Sequence, residues 1–588
     1  MLKSSLTLFL FIIACSLFAQ TSGSAKNWVA RSNENAKVLV QVFAKFNPEA
    51  AGQFGVDGLD DQIVDLKPGI VERSNQATKE AVIVLRERLS KETDPQVKQD
   101  LEILIKSAED NVKGSELNNK YLIPYFSISQ TIFGGIRALL DDQVPAERRP
   151  AALIRLKRYA GMEEGYTPVA VLAEQRIRER FSVPGLLGPS KAEVEKDLAN
   201  TGFFISGIEK LFQKYSIDGY QEAFAKIKQQ SAAYDDFVRK EILPKVRKDF
   251  RLPEELYQFS LQQFGIDIPA EQLVAQGHTA FDEIQKEMQL IAAKVAKEKG
   301  YKSSDYRDVI RELKKDQLIG EAILPHYQKR IKDLEAIIQR EKLLTLPERE
   351  MRIRIATEAE SANTPAPNMR PPRLMGNTGE MGEFVLPLNI PAPPGSKEAM
   401  QQFDDFTFEA GSWTLTAHEG RPGHELQFAS VIEAGVSDAR VLFAFNSVNV
   451  EGWGLYAEAI VKPYEPADGQ LIALQLRLLR AMRAFLDPEL QLGKVTPEKA
   501  KEMLMKDGVF SDAMSTQEVE RYTFRAPGQA PSYFYGYTRL MQLRKEAESA
   551  MGAGFDQLKF HDFILHQGLL PPDLLRKAVM QEFVKKSA

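Results

Sequence analysis

The octapeptide HEGRPGHE, residues 418–425, holds two of the chain's six histidines and sets a glutamate after each. It differs from the zinc-binding pattern H-E-x-x-H by two extra residues between the histidines. In H-E-x-x-H the histidines turn through about 400° of an ideal helix, so both imidazoles leave one face, a turn apart. His418 and His424 turn through about 600°, effectively 240°, and diverge on an unbroken helix. The insertion is not neutral, however. Pro422 removes a backbone donor and clashes with the preceding turn, and Gly423 admits backbone angles closed to other residues. The expectation is a break or bulge at Arg421–Gly423 that returns His424 to the side of His418. The spacing also fits a plainer reading: a helix ending at Arg421, a new one opened by His424, and two merely polar histidines.

A third donor stands further on. NVEGWGLYAE, residues 449–458, places Glu451 and Glu458 in an otherwise apolar, aromatic helical stretch, where a carboxylate is costly unless paired or metal-bound. Two imidazoles and a carboxylate, with a fourth position left for water, form the donor set of a catalytic zinc. Glu458 falls near the face of Glu451 and suits a residue that orients a ligand histidine from behind; the alternative is an ordinary helix-surface acid.

Composition bounds the setting. The chain has 588 residues, 44% of them hydrophobic and 27% charged, enough for two or more lobes and a large cleft. A net charge of −5 gives no electrostatic reason to bind nucleic acid or an anionic membrane. Cys15 is the single cysteine, so disulfides and thiolate metal sites are excluded, and any metal is held by His, Asp or Glu. MLKSSLTLFLFIIACSLFAQ, residues 1–20, reads as a secretory leader with Lys3, an apolar run and Ala19. Cleavage after Ala19 and a periplasmic protein are the expectation, because Cys15 would leave a short apolar stretch. The alternative is a lipoprotein anchored at Cys15, since IIAC resembles a lipobox. No later segment has the roughly 18 apolar residues of a membrane helix.

Four regions are expected: a signal peptide over 1–19, a helical scaffold over 25–363, a Pro/Gly-rich connector with a short strand over 364–395, and a zinc-binding helical region over 396–588. In the scaffold, Val82, Leu85 and Leu89, and then Leu101, Leu104, Ile105 and Ala108, recur at helical spacing. MRIRIA, residues 351–356, and EFVLPL, residues 383–388, are strand candidates whose sheet could offer an edge to an extended peptide. LIALQLRLLRAMRAFLD, residues 471–487, reads as an amphipathic helix with Arg477, Arg480 and Arg483. Arg480 and Arg483 are candidates to grip a substrate carboxylate, and Arg483 also has Asp487 at i,i+4. His561 and His566 are not at a ligand spacing, and His278 and His326 carry no signal.

LTAHEGRPGHELQ, NVEGWGLYAE, EVERYTFRAPGQAPSYFYG and FDQLKFHDFILHQGLLPPDLL, in this order, resemble the bacterial family called domain of unknown function 885. That family groups with gluzincin-like metallopeptidases, relatives of angiotensin-converting enzyme and thimet oligopeptidase. The resemblance covers about residues 40–585 and is strongest after residue 400. It implies His418, His424 and Glu451 as ligands of one zinc ion and Glu419 as general base. It further implies Tyr533 and Tyr522, then Arg521, as donors to the oxyanion. Glu425 stands where the family commonly has a third histidine, a departure expected to touch the surroundings of the site and not its ligands. The implied protein is mainly α, an elongated two-lobed helical zincin with a small β-sheet beside a deep cleft, exported and hydrolysing short or unfolded peptides. The rivals are another zinc amidohydrolase or esterase on the same site, and a non-catalytic helical periplasmic binding protein.

Overall fold

The computed structural model describes residues 27–388, 390–391, 400–401 and 403–585. The leader with Cys15 and Ala19, and part of the connector, lie outside the described residues. The described chain is mostly helical and elongated, with a small open sheet. No helix among the described residues is long and apolar enough to cross a membrane.

The first helices form as their periodicity predicts. Ala81, Val82 and Leu85 of Ile70–Lys91 are buried with Leu101, Leu104, Ile105 and Ala108 of Pro95–Tyr121 in one core cluster. Asp94 caps the second of these helices by accepting from the N–H groups of Gln96 and Val97.

The helix Ala467–Gln491 departs from the amphipathic expectation, because it is buried on nearly every side, two of its three arginines included: Arg480 is 6% and Arg483 4% exposed. It packs along Ala270–Lys299 and forms the centre of the largest core cluster. These two arginines line a cavity and are answered by carboxylates, while Arg477 lies over the ring of Tyr537.

Both strand candidates form. β1 (Arg352–Ile355) runs parallel to β3 (Glu383–Leu386), and β2 (Asn368–Arg370) pairs antiparallel on the other side of β3. β3 is the central strand and is wholly buried. β2 was not legible in the connector because it sits between Pro367 and Pro371, residues tolerated beside an edge strand and not in a central one. Arg352 and Arg354 of β1 point not to open water but at the buried Glu383, at 3.3 and 3.1 Å.

One helix crossing positions the site. Ser447–Val461, capped by Asn446, crosses Pro531–Met551 at Gly452 and Gly536. A Cβ on Gly452 would stand 2.6 Å from the carbonyl carbon of Gly536 and 2.7 Å from its Cα. This approach brings Glu451 of one helix toward Tyr533, which lies one turn before Gly536 on the other. Gly452→Ala is expected to destabilise the protein by about 1–3 kcal/mol through backbone overlap, although alanine is the better helix former by ~1 kcal/mol. Urea unfolding checks this, and an unchanged or higher midpoint would show that the crossing can open at no cost.

Candidate metal centre

The helix Glu409–Glu419 stops one residue after His418, residues 420–423 turn, and His424 opens the next helix, His424–Ala434. The expected interruption is therefore a complete break. The plainer reading is right about two helices and wrong about their consequence, since the turn brings the imidazoles to 4.6 Å between ring centroids.

Local contacts fix the turn. Gly423 lies against the carbonyl oxygens of Ala417 and His418, where a Cβ would collide. The indole N–H of Trp453 donates to the carbonyl oxygens of Pro422 at 3.0 Å and Gly423 at 3.3 Å. Arg421 donates from Nε to Glu425 at 2.7 Å, from Nη1 to Glu335 at 2.8 Å and from Nη2 to the Arg349 carbonyl at 2.6 Å. Glu425 is thus buried behind the turn with Arg421 as its partner and does not line the cavity.

Glu451 Oε2 lies 3.5 Å from His418 Nε2 and 3.2 Å from His424 Nε2. One ligand atom from each residue falls within 4.8 Å of the others, and this is the only such group of three among the described residues. The donor set suits a divalent cation such as zinc. Glu451 Oε2 and His424 Nδ1 are buried without a hydrogen-bond partner, as expected of a carboxylate whose partner is an ion. Gly454 makes room for His418, because a Cβ there would stand 2.6 Å from the imidazole Cε1.

His418 Nδ1–H donates to Glu458 Oε1 at 2.7 Å, which leaves Nε2 free to face the cluster. Thr414 Oγ1 at 2.6 Å and Arg480 Nη2 at 3.3 Å hold the same carboxylate. Burial pushes the Glu419 carboxyl above its ordinary value. Burial also opposes ionisation of Glu451, yet the two histidines hold it well below the carboxylate range.

The cluster opens on a cavity of about 770 Å³. Glu419, Tyr533, Arg480, Arg483, Arg521 and residues of β2 share its wall. The ring of Tyr533 lies 6.1 Å from that of His418, nearly parallel to it, and its hydroxyl accepts from Arg521 Nη1 at 3.3 Å. Tyr522 is placed elsewhere: fully buried and off the cavity wall, it donates its hydroxyl to Glu518 at 2.7 Å. Arg483 does not pair with Asp487 as its i,i+4 spacing suggests. Glu518 takes both arms of its fork, at 2.7 and 2.6 Å, while Asp487 accepts from Tyr257 at 2.9 Å. Burial opposes the charge on Glu518, and Arg483 and Arg521 overcome it, holding the carboxyl down to about 2.

Three of the four remaining histidines have structural partners. His561 bonds the Leu343 carbonyl and the Tyr456 hydroxyl, both at 2.7 Å, and burial pushes its pKa down to about 4. His278 pairs with Glu489 at 3.0 Å, and His326 with Ser412 at 2.8 Å. Sequence reasoning missed Thr414, Arg421, Trp453 and Gly454. Two glycines inside a helix, each costing ~1 kcal/mol against alanine, were the available signal of close packing in NVEGWGLYAE.

The sequence profile of the family "Bacterial protein of unknown function (DUF885)" matches residues 48–579. The chain belongs to this family. No curated protein matches it in sequence. Its fold is that of two solved relatives. The crystal structure of a candidate lipoprotein from Colwellia psychrerythraea superposes with a TM-score of 0.74 at 19% identity, over 94% of this chain and 99% of that one. A candidate lipoprotein of unknown function from Shewanella oneidensis gives 0.65 at 18% identity, over 94% and 99%. At such identities the likeness shows the fold alone.

Purified protein is expected to hold about one equivalent of zinc, lost on substitution of His418, His424 or Glu451 by alanine. Glu458→Gln should keep the site but weaken it by about 10- to 100-fold, read by competition with a chelator. Unchanged affinity in that variant would deny Glu458 any part in presenting His418.

Proposed function

We propose that the chain is a metal-dependent hydrolase of carbonyl substrates, amides or esters, with His418, His424 and Glu451 as metal ligands and Glu419 as general base. The single observation that carries this reading is the state of Glu419. Of the three acids on the cavity wall, Glu451 belongs to the ligand cluster and Glu518 to Arg483, while Glu419 has no hydrogen bond or ion pair among the described residues. A buried, uncommitted carboxylate beside a metal-ligand cluster, with its affinity for protons raised by burial, is suited to moving a proton.

A divalent ion held by the triad would supply Lewis acidity, polarising a carbonyl and acidifying a water. The protein's own groups then divide the work. Glu419 takes the proton of the attacking water and passes it to the leaving nitrogen or oxygen. The hydroxyl of Tyr533 donates to the oxygen on which negative charge develops, and Arg521 supports that hydroxyl. Glu458 holds the orientation of His418.

The relatives name no peptide substrate, so the proposal is set at the breadth of an amidohydrolase or esterase, with peptidase as its narrower form. The narrower form has one support: β2 is an edge strand whose Asn368 and Met369 line the cavity, and such an edge can hydrogen-bond an extended peptide. A non-catalytic binding protein would have no use for Glu419 in this state.

Glu419→Gln is expected to lower kcat by about 10²–10⁴-fold while keeping its metal. A panel of peptides and of simple esters, followed by mass spectrometry, checks activity and bond type. A metal-loaded wild-type protein that turns over nothing, or a fully active Gln variant, would overturn the hydrolase reading.

The processing of the leader also shifts. Two relatives are candidate lipoproteins, which supports an anchor at Cys15 over cleavage after Ala19. Cys15→Ala should then move the protein from the membrane to the soluble fraction. Wild-type protein found soluble and unacylated by mass spectrometry would restore the other route.

A further inference from the structure

Beyond the metal ligands, the cavity wall gathers three arginines around one ring. The guanidinium carbons of Arg480, Arg483 and Arg521 lie 5.7, 4.4 and 5.9 Å from the ring centroid of Tyr533. Two carboxylates answer them. Glu458 stands 3.3 Å from Arg480 and is already shared with His418 and Thr414. Glu518 is taken by both arms of Arg483 and by Tyr522, and its nearest oxygen is 3.8 Å from Arg521 Nε, beyond hydrogen-bond reach. The hydrogen bonds that Arg521 does make go to neutral groups, Gln529 at 3.2 Å and Tyr533 at 3.3 Å. Arg521 thus reaches the cavity wall with no carboxylate among its hydrogen-bond partners, and its side chain is still 24% exposed. The next arginine on the wall, Arg525, holds Glu520 at 3.0 Å and shares it with Lys196 at 2.6 Å, so it differs from Arg521 in having a carboxylate partner.

We infer that Arg521 is the docking point for a carboxylate of the substrate, so that the cavity selects chains that end in a free carboxyl group. The inference rests on the hydrolase reading above and narrows it. A guanidinium fork matches a carboxylate through two parallel hydrogen bonds. Of the expected anchors, Arg483 is less suited because Glu518 engages its fork, and Arg480 because its two terminal nitrogens already go to Glu458 and the Leu476 carbonyl. Reach sets the cleavage position. Tyr533 meets Arg521 at its hydroxyl and His418 at its ring face. A single tyrosine side chain bridges the two, so the bond cut is expected close to the carboxyl terminus and not in the middle of a long chain. Phe406, Leu415, Leu479 and Met514 on the same wall suit apolar side chains in the released or retained part.

The test uses the zinc-loaded full chain and N-acetylated pentapeptides of the form Ac-Ala-Ala-Phe-Ala-Ala, each made as the free acid and as the C-terminal amide. The wild type is expected to prefer the acid by about 10- to 100-fold in kcat/KM, the range of one charge-assisted hydrogen-bonded contact. In Arg521→Gln that preference should fall to near one, whatever the absolute rate, and Arg521→Lys should restore part of it. Equal rates on acid and amide in the wild type, or an undiminished preference in Arg521→Gln, would overturn the inference. Calorimetric binding of the same pair to zinc-loaded Glu419→Gln separates the two proposals. Acid-selective binding that vanishes with Arg521 replaced supports the docking role even if nothing is turned over, and equal binding of acid and amide refutes it even if the enzyme is active.

Discussion

The site depends on the four-residue turn from Gly420 to Gly423. A ligand pair six residues apart cannot share a face of a continuous helix, so the chain must end one helix at Glu419 and start another at His424 within a few ångströms. Helix ends leave backbone groups without partners, and a buried break is costly unless they are answered. Trp453 answers the carbonyls of Pro422 and Gly423, and it does so from the helix that also carries Glu451 and Glu458. The residue that holds the turn and the residues that complete the ligand cluster therefore move as one body. Gly452, against Gly536, locks that body to the helix of Tyr533.

Charge accounts for the rest of the arrangement. Around the ligand cluster, Glu419, Glu451 and Glu458 face a single guanidinium, that of Arg480, so that acids outnumber permanent cations where little of the side chains is exposed. Burying unpaired charge is among the most expensive things a fold can do. One divalent cation balances this set, with the histidines neutral as ligands. Across the ring of Tyr533, Arg483 takes Glu518 with both arms of its fork, and Arg521 bonds only neutral groups. A dipolar cavity of this kind, cation-seeking at the triad and anion-seeking at Arg521, orients a ligand before any specific contact is made.

How much of this was legible follows from the range of the forces involved. Helix periodicity, the break at Pro422–Gly423 and the two flanking strands are local, and the residues that set them are neighbours in sequence. The grouping of His418, His424 and Glu451 was legible because buried acids in an apolar helix need an explanation. What was not legible was pairing at long range. Arg483 could be read only against its own helix, which offered Asp487, whereas its partner Glu518 arrives from a helix 35 residues on. Tyr522 and Tyr533 lie eleven residues apart in one motif, yet one faces Glu518 and the other the cavity. Glu425 sits beside His424 in sequence and behind the turn in space, because successive residues of a helix point about 100° apart.

The break also changes what the two ligands feel. On a continuous helix both histidines sit mid-helix, where the ends of the macrodipole are remote. Here His418 lies in the last turn of one helix and His424 is the first residue of the next. The carbonyl end of the first helix and the amide end of the second meet at the cluster, bringing partial charges of opposite sign, each worth about 0.3–1 kcal/mol to a unit charge nearby. The amide end disfavours a protonated His424 and so favours the neutral imidazole that a metal requires. The carbonyl end would favour protonation of His418, the opposite of what a ligand needs. The Glu458 carboxylate adds to that pull, since an acid bonded to a ring N–H makes the imidazole more basic, but it also fixes the proton of the neutral ring on Nδ1, so that the lone pair a cation would take is the one on Nε2.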